Sequence, residues 1–339
     1  MKVSFLVTYY NQEQYVRQSL DSILAVEKPF DWEILVGDDG SSDGTVGIVQ
    51  EYIDRDPEHI RLFVMPREAG VRYDPVRRAS ANRLNLLENC TGDCFCTLDG
   101  DDFYCDVSFV REAMDILARH PDVSFAAFQY GYYMDGRLGE GMGLPAGMQG
   151  LIDTRQFLKD GYVPAGAGVH RIFRDSGRIH FLKEVGLFDD NNIVMNSLNF
   201  GSMYYTARPV YAYRQTGGSV YNRMDRVEKA ILNVEGWDAD RQILRSEYHP
   251  ELLIRNATSI IDLYVCRKTI RKALGEEKYT KYVRSCEGLR DSAAADFLAW
   301  DRLSREGKAR LRSLFMKSAA ARPEYAVRAL GKALIKPGA

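Results

Sequence analysis

The sequence predicts an α/β fold: a mostly parallel sheet flanked by helices, followed by a helical C-terminal region. Three features carry that prediction. The first hundred residues alternate β-rich apolar runs with helical periodicity across short connections. Acidic and glycine-rich turns close those runs, and from "MDRVEKAILNVEGWDADRQIL" onward the pattern is almost wholly helical. With 339 residues, 45% hydrophobic and 27% charged, the chain can bury one large core and carry an appendage.

Each element follows from its own stretch. "VSFLVT" (3–8) is an apolar β-rich run, and "QEQYVRQSLDSILAV" then places Tyr15, Leu20, Ile23 and Leu24 at helical spacing. "WEILVGDD" is a second strand, and "SSDGTVGIVQEYIDR" opens on capping residues before a helix. "IRLFVM" is the third strand, "PVRRASANRLNLLEN" the third helix and "DCFCTLD" the fourth strand. "DVSFVREAMDILARHP" reads as a helix capped by Asp106, and "DVSFAAFQYGYYM" as another strand. Between about 130 and 180 the pattern loosens; "LGEGMGLPAG" fails the GxGxxG spacing and reads as a loop. The expected organisation is 1–222, divided into 1–105 and 106–222, followed by 223–339 with a basic tail.

Composition narrows the setting. "MKVSFLV" is too short for a signal peptide, and Arg255, Asn256 and Asp262 break the longest later apolar stretch, so the expectation is a cytoplasmic protein. Six cysteines show no CxxC pair and read as reduced core thiols. From Asp301 onward ten Lys or Arg face three acids, which puts +7 on the tail and −9 on the rest, for a net charge of −2. An acidic main body argues against nucleic acid as a partner.

In a parallel sheet with right-handed crossovers, every strand ends on one rim. Thr8, Asp38, Asp39, Arg67 and the cluster "LDGDD" therefore face a shared crevice. Asp99, Asp101 and Asp102 repel one another there unless a divalent cation takes their oxygens, and a cation with open positions can hold a diphosphate. The EF-hand spacing fails around them.

These residues resemble those of the family 2 glycosyltransferases, enzymes with a GT-A type nucleotide-diphospho-sugar-binding fold. The resemblance spans roughly 1–222 and rests on "VTYYNQEQYVRQSLDSIL", "ILVGDDGSSDGT", "LDGDD", "EVGLFDDN" and "VYAYRQTGGSVY". It implies an inverting transferase that moves a sugar from a nucleotide diphosphate donor, a UDP-sugar above all, to a hydroxyl of a glycan or lipid-linked glycan. It assigns the donor to Thr8, Tyr10, Asn11, Glu13, Asp38, Asp39, Arg67, Asn82, Asp99, Gly100, Asp101, Arg214 and Ser219. Mn²⁺ or Mg²⁺ is assigned to Asp101 and Asp99, with Asp102 close by. Gly100 would leave room for the nucleotide to approach the backbone. Thr216 stands where relatives often carry a histidine aimed at the diphosphate.

The catalytic base is expected about eight residues after the Phe of a "GFDE"-like segment, and counting from Phe188 lands on Met195 and Asn196. A carboxamide cannot accept the proton. Either Asp189 or Asp190 has taken over, or Asn196 is an engineered change, or the enzyme is weak. Asn196 is the position the spacing favours, with slow turnover as its consequence. A nucleotidyltransferase and a non-catalytic donor-binding module are the alternative functions. In the tail, Leu311, Leu314 and Phe315, then Val327, Leu330 and Leu334, lie beside basic residues at helical spacing. That pattern suits either packing on its own domain or contact with an anionic membrane.

Overall fold

A computed structural model of the chain describes residues 1–334 except 69, 72, 146, 174–176, 217–220, 222 and 287–291. The chain divides into two compact units, Met1–Thr216 and Gly217–Ala339. Asn222, where the sequence suggested a boundary, lies outside the described residues.

The first unit opens with the alternation the sequence predicts: β1 (Val3–Tyr9), α1 (Glu13–Ala25), β2 (Trp32–Asp38), α2 (Thr45–Arg55), β3 (Ile60–Val64), α3 (Pro75–Asn89) and β4 (Cys94–Asp99). β1 pairs in parallel with both β2 and β4, and β2 with β3. Strands covered on both faces read as unbroken apolar runs, and Val3, Phe5, Leu6 and Val7 are all buried. Helix α3 starts where Asp74 accepts from the amides of Val76 and Arg77, with Pro75 at the first helical position, where its missing N–H has no partner to lose.

Past β4 the pairing turns mixed. β5 (Phe103–Tyr104), α4 (Phe109–Arg119), β6 (Val123–Met134), β7 (Arg137–Glu140), β8 (Gly150–Ile152), α5 (Thr154–Asp160), β9 (Gly168–Arg171), α6 (Arg178–Val185), α7 (Asp190–Leu198) and β10 (Ser202–Arg214) complete the unit. The sheet order is β3-β2-β1-β4-β9-β6-β10-β5, with β7 added to β6 and β8 to β10. β9 runs antiparallel to both β4 and β6, whereas β6 and β10 are parallel. The register of β10 against β6 shifts around Pro209, which has no N–H to give the ladder. Cys90, Cys94 and Cys96 are buried as expected, while Cys105 is exposed.

The second unit holds α8 (Arg226–Ile243), α9 (His249–Cys266), α10 (Ile270–Leu274), α11 (Glu276–Cys286), α12 (Ala293–Leu298), α13 (Arg305–Ala321) and α14 (Pro323–Leu334). Ile261, Phe315, Ala326 and Ala329 form one core cluster, and Tyr264 stacks on Phe315 with 4.1 Å between ring centroids. The apolar stripe of α13 is thus used inside its own unit: Leu311 and Phe315 are buried. Val327 and Leu330 stay exposed, and the side chain of Leu334 lies outside the described residues. No described helix is long and apolar enough to cross a membrane.

Candidate active site

The carboxyl ends of β1, β2 and β4 form the rim of a crevice. Asp39, just past β2, is almost fully buried and is held from two sides: Arg67 Nη2 donates to Oδ2 and Arg78 Nε to Oδ1, the latter at 2.6 Å. The Arg67 guanidinium lies 3.8 Å from the ring centroid of Tyr10, and Arg78 lies 4.6 Å from that of Tyr73. One carboxylate thus sits between two planar donors, beside aromatic faces. Arg67 was anticipated; Arg78 was not, because "PVRRASANRL" reads only as helix.

Several residues expected to touch the donor make hydrogen bonds that hold the rim together. Both oxygens of Asp38 are occupied by Ser41, whose amide donates at 2.8 Å and whose hydroxyl donates to the other oxygen. Asn11, at φ 50°, accepts from the Ser42 amide at 2.8 Å, and Glu13 accepts from the Gly44 amide at 2.7 Å. Backbone amides entering α2 have no helical partner, and these side chains supply one. Asn82 donates to the Gly37 carbonyl at 2.9 Å. At Gly100 a side chain would overlap the Tyr9 ring and Gln12, so packing within the protein already requires the glycine.

The acidic cluster resolves its repulsion unequally. Asp99 accepts from Arg83 Nη2 at 2.6 Å and from Thr8 Oγ1 at 3.4 Å. Asp102 is buried and turned inward: Tyr211 Oη donates to one oxygen and the Arg214 amide donates to the other at 2.7 Å. Both oxygens of Asp102 are thus used inside the fold. Asp101 is left with the burden: burial, and then the charge of Asp99, push its carboxyl up to about 6. Arg214 does not face outward as a lone cation. It donates from Nε to the Asp101 carbonyl and from Nη2 to Gln18 Oε1, each at 2.6 Å, and lies within 4.8 Å of the Tyr15 and Tyr133 ring centroids. Ser219 lies outside the described residues.

No group of three His, Cys, Asp or Glu side chains that could enclose a metal occurs among the described residues. Magnesium-like ions commonly take one or two carboxylates and complete their shell with substrate phosphates. A half-buried, charge-burdened Asp101 beside Asp99 fits that donor set.

Asp190, the first residue of α7, shares this environment. Burial, then the charge of Asp99, push its carboxyl up to about 7, against the opposing pull of Arg83 and a hydrogen bond from the Ala165 amide. Asp189 caps the same helix, accepting from the Asn192 amide at 3.1 Å. Asn196, the position favoured by spacing, is elsewhere. Six residues on, it is rotated about 120° around the helix from Asp190, and its Oδ1 accepts from Arg178 Nε at 2.8 Å and Nη2 at 2.6 Å. The count from Phe188 passes the start of α7, where Asp189 and Asp190 stand. Arg83, which bonds Asp99 and whose charge acts on Asp190, went unnoticed because it follows Arg78 by five positions on a helix with few charge partners in sequence. His170 is a core residue, fully buried between Ser197 Oγ and the Ala165 carbonyl.

Comparison with known proteins adds three findings. The Glycosyl transferase family 2 model matches residues 4–177. An uncharacterized protein of Mycobacterium tuberculosis is 30% identical over 122 residues, covering 36% of this chain and 33% of that protein. A poly-beta-1,6-N-acetyl-D-glucosamine synthase of Staphylococcus epidermidis is 34% identical over 87 residues, covering 25% and 21%. The chain thus matches a third or less of the length of these relatives. In structure it is similar to TarS 1-349 of S. aureus, solved in complex with UDP-GlcNAc, with TM-score 0.51 and 16% identity over 89% of this chain and 92% of that one. That likeness shows the fold.

Proposed function

The chain belongs to glycosyl transferase family 2, and from that premise we propose that it transfers a sugar, with inversion, from a UDP-sugar to a hydroxyl of a glycan or lipid-linked glycan in surface polysaccharide synthesis. One observation carries the reading: the charge of Asp99 acts on Asp190, and Arg83, which donates to Asp99 at 2.6 Å, feels the charge of both.

The donor end follows from hydrogen-bond complementarity. Arg67, Asp39 and Arg78 together present donor, acceptor and donor. The uracil edge presents acceptor, N–H donor and acceptor, the matching order, whereas guanine and cytosine do not. Tyr10, stacked on the Arg67 guanidinium, would hold that donor at the base edge. Thr8 and Asp99 lie where the ribose and sugar follow. Asp101 and Asp99 would hold Mn²⁺ or Mg²⁺, which supplies positive charge to the departing diphosphate. On the acceptor side Asp190 takes the proton of the attacking hydroxyl, which displaces the diphosphate from the opposite face of the anomeric carbon. Its raised pKa suits a base at neutral pH. The named synthase relative supports a polysaccharide product.

The test is release of nucleotide diphosphate from UDP-, GDP- and CDP-sugars with Mn²⁺ or with EDTA. Slow release of UDP alone, abolished by EDTA, is expected. Pyrophosphate formed from UTP and a sugar phosphate would instead identify a nucleotidyltransferase, and donor binding without any turnover would leave only a binding module.

A further inference from the structure

Beyond Asp190 the first unit gathers five tyrosines that neither the donor nor the base employs. β6 and β10 run side by side with Tyr130 paired to Tyr211 and Tyr132 to Tyr213. The two-residue period of a strand puts all four on one face of the sheet. The rings of Tyr132, Tyr162 and Tyr213 surround Tyr130 at centroid distances of 5.4, 6.2 and 6.4 Å, each nearly perpendicular to it, at 86°, 82° and 85°. Tyr130 is buried and uses its hydroxyl on the Met142 amide at 3.2 Å and on Tyr132 Oη at 3.3 Å. The other three rings are only half-buried.

Two hydrogen bonds connect the segments that carry this group to the acidic cluster and to Asp190. Tyr211, two residues before Tyr213 on the same strand face, donates to Asp102. The amide of Ala165, three residues after Tyr162, donates to the carboxylate of Asp190. Burial, and then the charge of nearby carboxylates including Asp190, hold the phenols of Tyr162 and Tyr213 protonated.

A cluster serving only as core would bury its rings and gain nothing from hydroxyls. This one leaves three rings half-open beside the carboxylate proposed as base, and each ends in a hydroxyl that can donate or accept. We propose that Tyr132, Tyr162 and Tyr213 form a subsite for one pyranose ring of the acceptor, the C–H face of the sugar packing on an aromatic face while its hydroxyls bond to the phenol tips. The occupant is therefore a cyclic sugar, not an open-chain polyol and not a lipid tail. The proposal rests on the reading of Asp190 as the acceptor-side base.

Saturation-transfer NMR on the full chain with UDP and Mn²⁺ tests it, using chitotetraose and cellotetraose as probes and sorbitol as the open-chain control. Transfer to the ring protons of at least one tetrasaccharide, and none to sorbitol, is expected. Tyr132→Ala and Tyr162→Ala should each weaken that binding by about 3- to 10-fold, while the Phe replacements keep the stacking part. Titration with UDP checks that each variant is folded. Silence from both tetrasaccharides, equal transfer to sorbitol, or wild-type affinity in both Ala variants would overturn the subsite. Sugar binding without turnover of any UDP-sugar would keep the subsite and sink the transferase reading; turnover with both Ala variants binding as wild type would do the reverse.

Discussion

Arg83 donates from Nη2 to Asp99 Oδ1 at 2.6 Å, and its charge also acts on Asp189 and Asp190. A single guanidinium therefore restrains the repulsion between Asp99 and the carboxylates at the start of α7. Replacing it exposes that repulsion. Arg83→Ala should lower unfolding free energy by about 1–3 kcal/mol, the cost of leaving a partly buried charge without its partner. In urea titrations the double variant Arg83→Ala, Asp99→Ala should lose less than the sum of the two single variants; strict additivity would show that the pair does not interact.

Asp190 and Asn196 make opposite predictions. Asp190→Asn should reduce kcat by about 10²- to 10⁴-fold, and Asn196→Asp should give no gain, since a new carboxylate there meets Arg178. In the wild type kcat should rise with pH through about 7, as Asp190 loses its proton. Stability runs the other way. Folding raises this carboxyl above its ordinary value, so its contribution is fully present at low pH and is lost as pH rises through the folded value. Asp190→Asn should thus be more stable than wild type at pH 8, with the advantage fading toward pH 4; an advantage independent of pH would refute the assignment.

Asp101 and Asp102, adjacent in sequence, should separate cleanly. Asp101→Asn is expected to abolish the Mn²⁺-dependent part of UDP binding by calorimetry while leaving Tm unchanged or raised, because it removes a charge that burial penalises. Asp102→Ala should cost about 1–3 kcal/mol by stranding the Tyr211 hydroxyl and the Arg214 amide. If Asp102→Ala kept full stability and lost Mn²⁺ instead, the two roles would have to be exchanged.

His170 sets an acid limit. Burial pushes its imidazole down to about 3 from an ordinary 6.5. A depressed pKa contributes stability that is present above 6.5 and lost as pH falls toward the folded value. The Tm of wild type should therefore drop between pH 6.5 and 4, and His170→Asn, though less stable at neutral pH, should show a shallower slope there. Equal slopes would exclude His170 as the source.

The strands and helices up to β4 were legible because each is a continuous apolar run or a strong helical period with its own turn chemistry. β9 was not: "GVHR" spans four residues and pairs with two strands far from it in sequence, a relationship no local pattern encodes. At the site, motif and rim position single out Asp39, Asp99 and Asp101, which stand at or just past the ends of β2 and β4. What the sequence does not show is that Asn11 and Glu13 bond loop amides about 3 Å away in space but some thirty residues away in sequence, and that Asp38 bonds Ser41 three residues on. Arg78 and Arg83 escaped notice because their partners lie on other elements.

The register shift at Pro209 has a consequence for how such a site can change over time. Tyr211 and Tyr213 look one way from β10 and Arg214 the other, so which chemistry meets each side of the sheet is a matter of parity, counted from the irregularity onward. Loss or gain of one residue there would trade the two in a single step, putting a guanidinium among the phenols and an aromatic ring over the donor. A strand arranged in this way can evolve substrate preference by counting, without altering any of the residues that do the chemistry.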